Sequence, residues 1–279
     1  DAGLKHDFFT ANRPQIEHID DQTFKYHVDF EKLKLNDETG AICVSRPTNP
    51  TGNVLTDSEI AKLDALAKQH DVPLIIDSAY GTPFPKLIFT EATAHWNDNT
   101  VVCLSLSKFG LPAARTGIVI ANEAVIKAVS SVNAIMNLAT GSFGSMIAYD
   151  LVKSGDILTL SENVIKPFYL EKAKRAEGLL REKLSGLPFA LHKVEGAMFL
   201  WLWLKGCPIS SQALYERLKL RGVLVVSGHH FFPGLNDDDD KVWRHRDECL
   251  RITYSQDDLL VEKGLGIIAE EVRKAYAGI

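Results

Sequence analysis

Cysteine is scarce in this chain. Four occur in 279 residues (Cys43, Cys103, Cys207 and Cys249), far apart and in apolar strand-like or turn settings. That usage excludes a disulfide scaffold and suits reduced structural thiols in a cytoplasmic protein. Long apolar runs are absent as well: the longest, AMFLWLWL from Ala197 to Leu204, is too short to span a bilayer. No basic block occurs, and a net charge of −5 spread along the chain argues against a nucleic-acid footprint. His229, His230, His245 and Cys249 flank an acidic run, Asp237 to Asp240, but fit no standard ligand spacing, so no metal is expected and the run reads as a solvated loop. The opening DAGLKHDFF has neither an initiator methionine nor a signal-peptide pattern and reads like the middle of a longer chain.

What is present is ordinary globular material, 46% hydrophobic and 24% charged, enough for one large or two medium domains. Four continuous apolar runs follow one another: AICVS (41–45), VPLIID (72–77), VVCLSLS (101–107) and TGIVIAN (116–122). Uninterrupted apolar strands are what a sheet covered on both faces requires. Between the first two, Thr56 and Glu59 have capping-box spacing ahead of Ile60, Leu63, Leu66 and Ala67 at helical period. The expected class is therefore α/β, with a mostly parallel, doubly wound sheet. Helical patterns continue at about 123–136 and 142–153, then from Ile157 to Leu184, where Pro167 should bend the axis. A domain boundary is expected near that bend, with 1–165 as the large domain and 166–279 as a smaller α+β domain. The latter has strands near 189–194, 197–204, 223–227 and 249–254 and helices near 210–220 and 257–276. Trp201 and Trp203, two apart, should pack on one face of its core.

Ligands of open α/β sheets sit beyond the carboxyl ends of the strands. Asn49 follows the first run, Asp77 closes the second with Tyr80 three residues on, and Lys108 follows the third. Taken singly, Asp77 reads as a helix cap or an ion-pair partner, and Lys108 as a solvent-facing lysine. A carboxylate ending Leu-Ile-Ile should also be poorly solvated and need a donor or cation. Together the groups suggest one ligand. A buried lysine loses its proton more readily and can form a Schiff base. Pyridoxal phosphate needs that lysine, an acidic partner for its pyridine nitrogen, and phosphate donors. Arg115 offers a planar fork suited to phosphate, Ser105 and Ser107 offer hydroxyls, and Asn49 and Tyr80 could bond the ring's phenolic oxygen.

SRPTNPTGN (45–53), DSAY (77–80), SLSKFGLPAARTG (105–117) and LRITYS (250–255) resemble, in order and content, the signature blocks of class I/II aminotransferases of the pyridoxal-phosphate fold type I. The resemblance implies that Lys108 carries the cofactor and shuttles a proton, and that Asp77 keeps the pyridine nitrogen protonated. Asn49 and Tyr80 would tune the phenolic oxygen, Ser105 and Arg115 would bind phosphate, and Arg251 would grip the substrate's α-carboxylate beside Asn49. It also implies a homodimer, with ATGSFGS (139–145) approaching the partner's phosphate, though that segment reads locally as a helix start. The compact lysine block and SGHHFFPGL (227–235) resemble members that exchange the amino group of a small or branched aliphatic amino acid (valine, alanine) with a 2-oxo acid (pyruvate, 2-oxoisovalerate). No clear second arginine for a side-chain carboxylate is visible, and His229 and His230 could line the rim of the site.

Two departures stand out. Most relatives have one more residue between the lysine and the phosphate-binding arginine. They also carry a glycine-rich phosphate loop and a ring-stacking aromatic before the asparagine block, neither recognisable between Asp1 and Gly40, so the large domain is expected to be incomplete here. Other chemistries on the same fold are a C–S lyase and a sensor domain of a transcription regulator. Lyase action would release ammonia and pyruvate without an acceptor; a regulator would need an attached DNA-binding module.

Overall fold

The computed structural model describes residues 9–235 and 243–279, so the acidic run Asp237–Asp240 lies outside the described residues. The chain forms a hairpin, β1 (Gln15–Asp20) and β2 (Thr23–His27), then β3 (Ile42–Ser45), α1 (Asp57–Gln69), β4 (Leu74–Asp77), β5 (Thr100–Ser105) and β6 (Gly117–Ile120). Strands β3, β4 and β5 are parallel neighbours, and β6 closes that sheet antiparallel to β5. The expected mostly parallel sheet is present.

Helix α1 begins as its capping box requires: Thr56 accepts from the Glu59 N–H, and Glu59 reaches back to the Thr56 N–H. Glu59 does more, accepting from the Val28 N–H at 3.0 Å and so tying the exit of the hairpin to the helix. Ile60, Leu63 and Ala67 sit one helical face apart and are buried against Ile42, Leu74 and Ile76. Each of the isoleucines and leucines among them contributes roughly 1.5–3 kcal/mol by leaving water.

Helices α2 (Glu123–Asn137), α3 (Phe143–Ser154), α4 (Asp156–Leu160) and α5 (Lys166–Lys183) follow. Gly144 lets α3 approach the first sheet, because a Cβ there would lie 1.9 Å from Thr116 Oγ1. Where a bend was expected at Pro167, the ladder is distorted just before it. Residues 161–165 form one widened π turn, in which the Lys166 N–H reaches Ser161 O. Pro167 follows directly, near the start of α5 but inside a helix continuous from Asp156, so its missing N–H leaves a gap in the ladder beside the π turn.

The second sheet runs β1-β2-β7-β8-β10-β9, with β7 (Phe189–His192), β8 (Phe199–Leu204), β9 (Val226–Ser227) and β10 (Cys249–Thr253). Helices α6 (Ser211–Leu220), α7 (His245–Glu248) and α8 (Asp258–Tyr276) complete it. Residues 15–27 therefore join the sheet of the C-terminal part, whereas the sequence grouped everything up to 165 with the first sheet. Two contacts draw them there: β2 pairs parallel to β7, and Arg181 on α5 donates to Gln22 O and Thr23 Oγ1.

Strand β8 alternates as expected. Leu200, Leu202 and Leu204 pack in a core with Leu180, Leu265 and Ile268 of the helices, while Trp201 and Trp203 share the other face with Phe24, Tyr26 and Cys249. On that second face Tyr26 Oη accepts from Trp201 Nε1 at 2.9 Å and is hydrogen-bonded to His245 Nε2. Burial pushes His245 down to about 3 and His192 down to about 4, so both imidazoles are neutral at pH 7.

Neutral buried histidines give the fold an acid-sensitive window. The unfolded chain takes up these protons near pH 6.5 and the folded chain only near 4 and 3, so stability falls as pH drops through that interval. Between pH 6.5 and 5 each histidine should cost about 2 kcal/mol, before most carboxylates titrate. Thermal melts at pH 7, 6 and 5 should show a steady fall that is shallower in His245→Gln; a flat wild-type profile would contradict the assignment.

Candidate functional site

Register brings the candidate residues to one end of the first sheet. Ser45 lies opposite Asp77, and Asp77 opposite Cys103, so the parallel strands finish nearly in line. The segments that leave them carry Asn49, Tyr80 and Lys108. Because β6 runs the other way and starts with Gly117 opposite Ser105, Arg115 arrives at the same end.

Lys108 closes a single 3-10 turn, Leu106–Lys108, whose cap is Ser105: its Oγ accepts from the Ser107 N–H at 3.1 Å. The lysine is half-buried, less enclosed than the sequence reading supposed, and its ammonium lies 5.2 Å from the centre of the Tyr80 ring. A second 3-10 turn, Pro112–Ala114, ends in Arg115, which takes a left-handed conformation at φ 44°. Its guanidinium folds back on the loop, donating to Pro112 O at 3.1 Å and to Ser107 Oγ at 3.4 Å. Ser105, Ser107, Lys108 and Arg115 thus share one compact turn despite the short spacing.

Asp77 corrects another expectation. It is exposed, because β4 alternates and turns Leu74 and Ile76, not Asp77, toward α1. Its Oδ1 accepts from the Ala79 N–H at 3.0 Å, an Asx turn rather than the helix cap or ion pair that the residue by itself suggested. Its charge is still felt nearby: partial desolvation, reinforced by Asp77, pushes the thiols of the exposed Cys43 and the half-buried Cys103 up. Tyr80 is buried and pushed up to about 12, first by burial, with Asp77 adding to the shift and Arg251 opposing it. Its phenol is neutral at pH 7.

Arg251 comes from the other sheet. On β10 it lies opposite Trp201 of β8, and its guanidinium sits 4.6 Å from the Phe199 ring centre and 5.1 Å from that of Phe231. It donates to Asn49 Oδ1 at 2.6 Å, joining residues 202 positions apart. Burial pulls Arg251 below its ordinary value, partly offset by Tyr80, yet it stays charged. The aromatic flanks, Phe199 and Phe231, were not singled out by sequence. Their signal was weak, since Phe199 lies inside an apolar strand and Phe231 inside SGHHFFPGL. The turn Gly228–Phe231 therefore borders Arg251 through Phe231, while His229 Nδ1 is hydrogen-bonded to Ser227 Oγ at 2.8 Å.

This donor set suits pyridoxal phosphate. A primary amine, a strand-end carboxylate, a neutral phenol and an amide lie at one sheet end, with a hydroxyl-lined turn carrying a cation. Among the described residues the Lys108 amine is engaged by no carboxylate, which leaves it available to a carbonyl ligand.

Comparison with known proteins agrees. The family model described as aminotransferase class I and II matches residues 10–268. Valine–pyruvate aminotransferase of Escherichia coli K12 is 53% identical over 277 residues, covering 99% of this chain and 66% of that protein. A putative aminotransferase of Bacillus subtilis is 28% identical over 74% of this chain and 52% of its own length. The crystal structure of valine–pyruvate aminotransferase from Salmonella typhimurium LT2 superposes with a TM-score of 0.92 at 51% identity, covering 97% of this chain and 69% of that one. A putative amino-acid aminotransferase from Psychrobacter arcticum 273-4 does so with a TM-score of 0.93 at 48% identity, covering 97% and 63%. The chain thus spans about two thirds or less of the curated relatives it matches, and its match to the family model runs through every block that carries the candidate site. It belongs to the class I and II aminotransferase family, with the α/β architecture of fold type I.

Proposed function

We propose that this protein is a pyridoxal-phosphate-dependent aminotransferase that exchanges an amino group between valine or alanine and a 2-oxo acid, pyruvate or 2-oxoisovalerate. The observation that carries this reading is the meeting of two half-sites at Tyr80. Lys108 lies over its ring, and the charge of Arg251, itself bonded to Asn49, reaches its hydroxyl. The 53% identity to a valine–pyruvate aminotransferase supports the substrate pair.

Bound pyridoxal phosphate supplies an electron sink for the charge left when the substrate Cα–H bond breaks. Lys108 then takes and returns the proton at Cα, as a general base and acid whose reach is set by the 3-10 turn beneath it. Asp77 holds a proton on the pyridine nitrogen by charge complementarity. Asn49 and Tyr80 donate hydrogen bonds to the phenolic oxygen, Tyr80 keeping its proton because it is buried. Ser105, Ser107 and Arg115 bind the phosphate. Arg251 takes the substrate carboxylate, its guanidinium already placed against the Phe199 and Phe231 rings so that less side-chain freedom is lost on binding.

A two-domain division near the π turn at 161–165, a cytoplasmic location and a homodimer complete the reading. Among the described residues, no helix is long and apolar enough to cross a membrane. Ile135, Met136, Phe143 and Met146 on α2 and α3 are strongly exposed, which supports a covered face in a dimer. A monomer mass in sedimentation would refute that part.

The deciding experiment is a transamination screen of amino acids against pyruvate. Valine should be consumed with stoichiometric formation of alanine. Ammonia release without an acceptor would instead indicate lyase chemistry. In the same assay Arg251→Lys should raise the KM for valine roughly 10- to 100-fold through loss of bidentate geometry while cofactor stays bound. Unchanged KM would count against the assigned carboxylate site.

A further inference from the structure

We propose that the buried pair Lys25–Glu195 is a positioning device that holds Asn49 against Arg251 and thereby sets affinity for the substrate carboxylate. The proposal rests on the aminotransferase reading above. Lys25 lies on β2 and Glu195 follows β7, so both belong to the part of the molecule that carries Arg251. Their hydrogen-bond partners Asn53 and Val54 belong to the loop after β3 that carries Asn49.

The contacts are complete. Lys25 is 5% exposed and Glu195 3%. The Lys25 ammonium has three donors and uses them on Glu195 Oε2, on Asn53 Oδ1 at 2.8 Å and on Val54 O at 3.0 Å. Glu195 Oε2 also accepts from the Val54 N–H at 3.1 Å, and its other oxygen meets Lys193 at 3.2 Å. Burial pushes the Glu195 carboxyl up, but the Lys25 ammonium and the Val54 N–H outweigh it and hold that carboxyl below its ordinary value.

Fixing Asn53 fixes Asn49, because the loop between them is closed on itself. The Thr48 N–H donates to Asn53 O, and the Gly52 N–H to Thr48 O, each at 2.8 Å. The loop also lies hard against the residue after Glu195. Gly52 has φ +71°, and a Cβ there would fall 2.6 Å from Gly196 O. The loop has no room to shift toward β8, and the ion pair keeps it from moving away.

Stability alone does not account for such a pair. Desolvating two charges costs about as much as their attraction returns, and apolar replacements of similar volume are often neutral or better. A directional network returns a defined register instead, here between the two sheets that each supply half of the carboxylate site. A displacement of about 1 Å at such a site costs on the order of 10²-fold in function.

The test uses the whole protein loaded with pyridoxal phosphate. Lys25→Met should raise the KM for valine, and the Kd from equilibrium titration, on the order of tenfold or more. Cofactor retention should hold and kcat at saturation should stay within about threefold, a split that general destabilisation would not produce. Hydrogen exchange at the amides of 48–54 should quicken. Valine affinity within twofold of wild type in a folded, cofactor-loaded Lys25→Met would overturn the proposal. Should that variant fail to fold, Asn53→Ala decides, since it removes one acceptor and leaves the ion pair: weakened valine binding supports the device, and unchanged binding overturns it. Arg251→Lys in the same titration separates the two levels. If it also binds valine normally, the carboxylate site itself is misassigned; if it is impaired while Lys25→Met is not, only the positioning role falls.

Discussion

Lys108→Ala should lower transamination of valine with pyruvate by on the order of 10⁴-fold or more. Positioned proton transfer contributes about 10²–10⁴-fold by itself, and the same amine is also the group assigned to hold the cofactor carbonyl. The polar side chains that share its turn, Ser105, Ser107 and the cationic Arg115, offer no base in its place. Folding should be little affected. Lys108 is half-buried at the end of a 3-10 turn whose cap is made by Ser105, so the truncation removes a contact with the Tyr80 ring and little else. The measurement is kcat beside a thermal melt, together with borohydride reduction of the wild-type holoenzyme and peptide mapping. A pyridoxyl label on any lysine other than Lys108, or turnover within tenfold of wild type in the variant, would sink the assignment.

Asp77→Asn should lower kcat on the order of 10²–10³-fold, a typical magnitude for deleting one preorganised electrostatic contact in a water-excluded site. The substitution is chosen for what it retains. Asparagine keeps an oxygen that can accept from the Ala79 N–H, so the turn after β4 survives and only the charge is lost. Because Asp77 is exposed in the protein alone, its charge is screened by water until a ligand covers it, and the effect should appear in turnover rather than in stability. The thiols of Cys43 and Cys103 provide an internal control. Asp77 adds to the upward push that burial exerts on both, so both should titrate at lower pH in the variant. If kcat is unchanged while the thiols shift, the charge has been removed and the pyridine-nitrogen role is wrong.

The parts of this molecule legible in its sequence are those governed by short-range chemistry. The apolar runs ending at Ser45, Asp77 and Ser105 read as parallel strands because they are uninterrupted, although their burial alternates and leaves Cys43 and Asp77 exposed. Helix α1 was legible from Thr56 and Glu59, whose reciprocal capping bonds span only three residues. Pro167 marked a distortion in the long helix, and the structure places a π turn at 161–165 immediately before it. The hairpin β1–β2 was not read at all. QIEHID and TFKYH are mostly polar, and their place beside β7 depends on Arg181, some 158 positions from Thr23.

The sequence by itself determined the residue types of the candidate site and their order, because an amine, an acid and a cation with hydroxyls follow the ends of successive apolar runs. Only the tertiary structure decided which of them meet. It exposed Asp77 where burial was expected, folded Arg115 back onto Ser107, and set Arg251 between Phe199 and Phe231 with Asn49 as its partner. Strand register and loop closure join groups up to 202 positions apart. Such contacts depend on how two sheets dock, through closed loops and a buried ion pair. Local pattern carries no record of that.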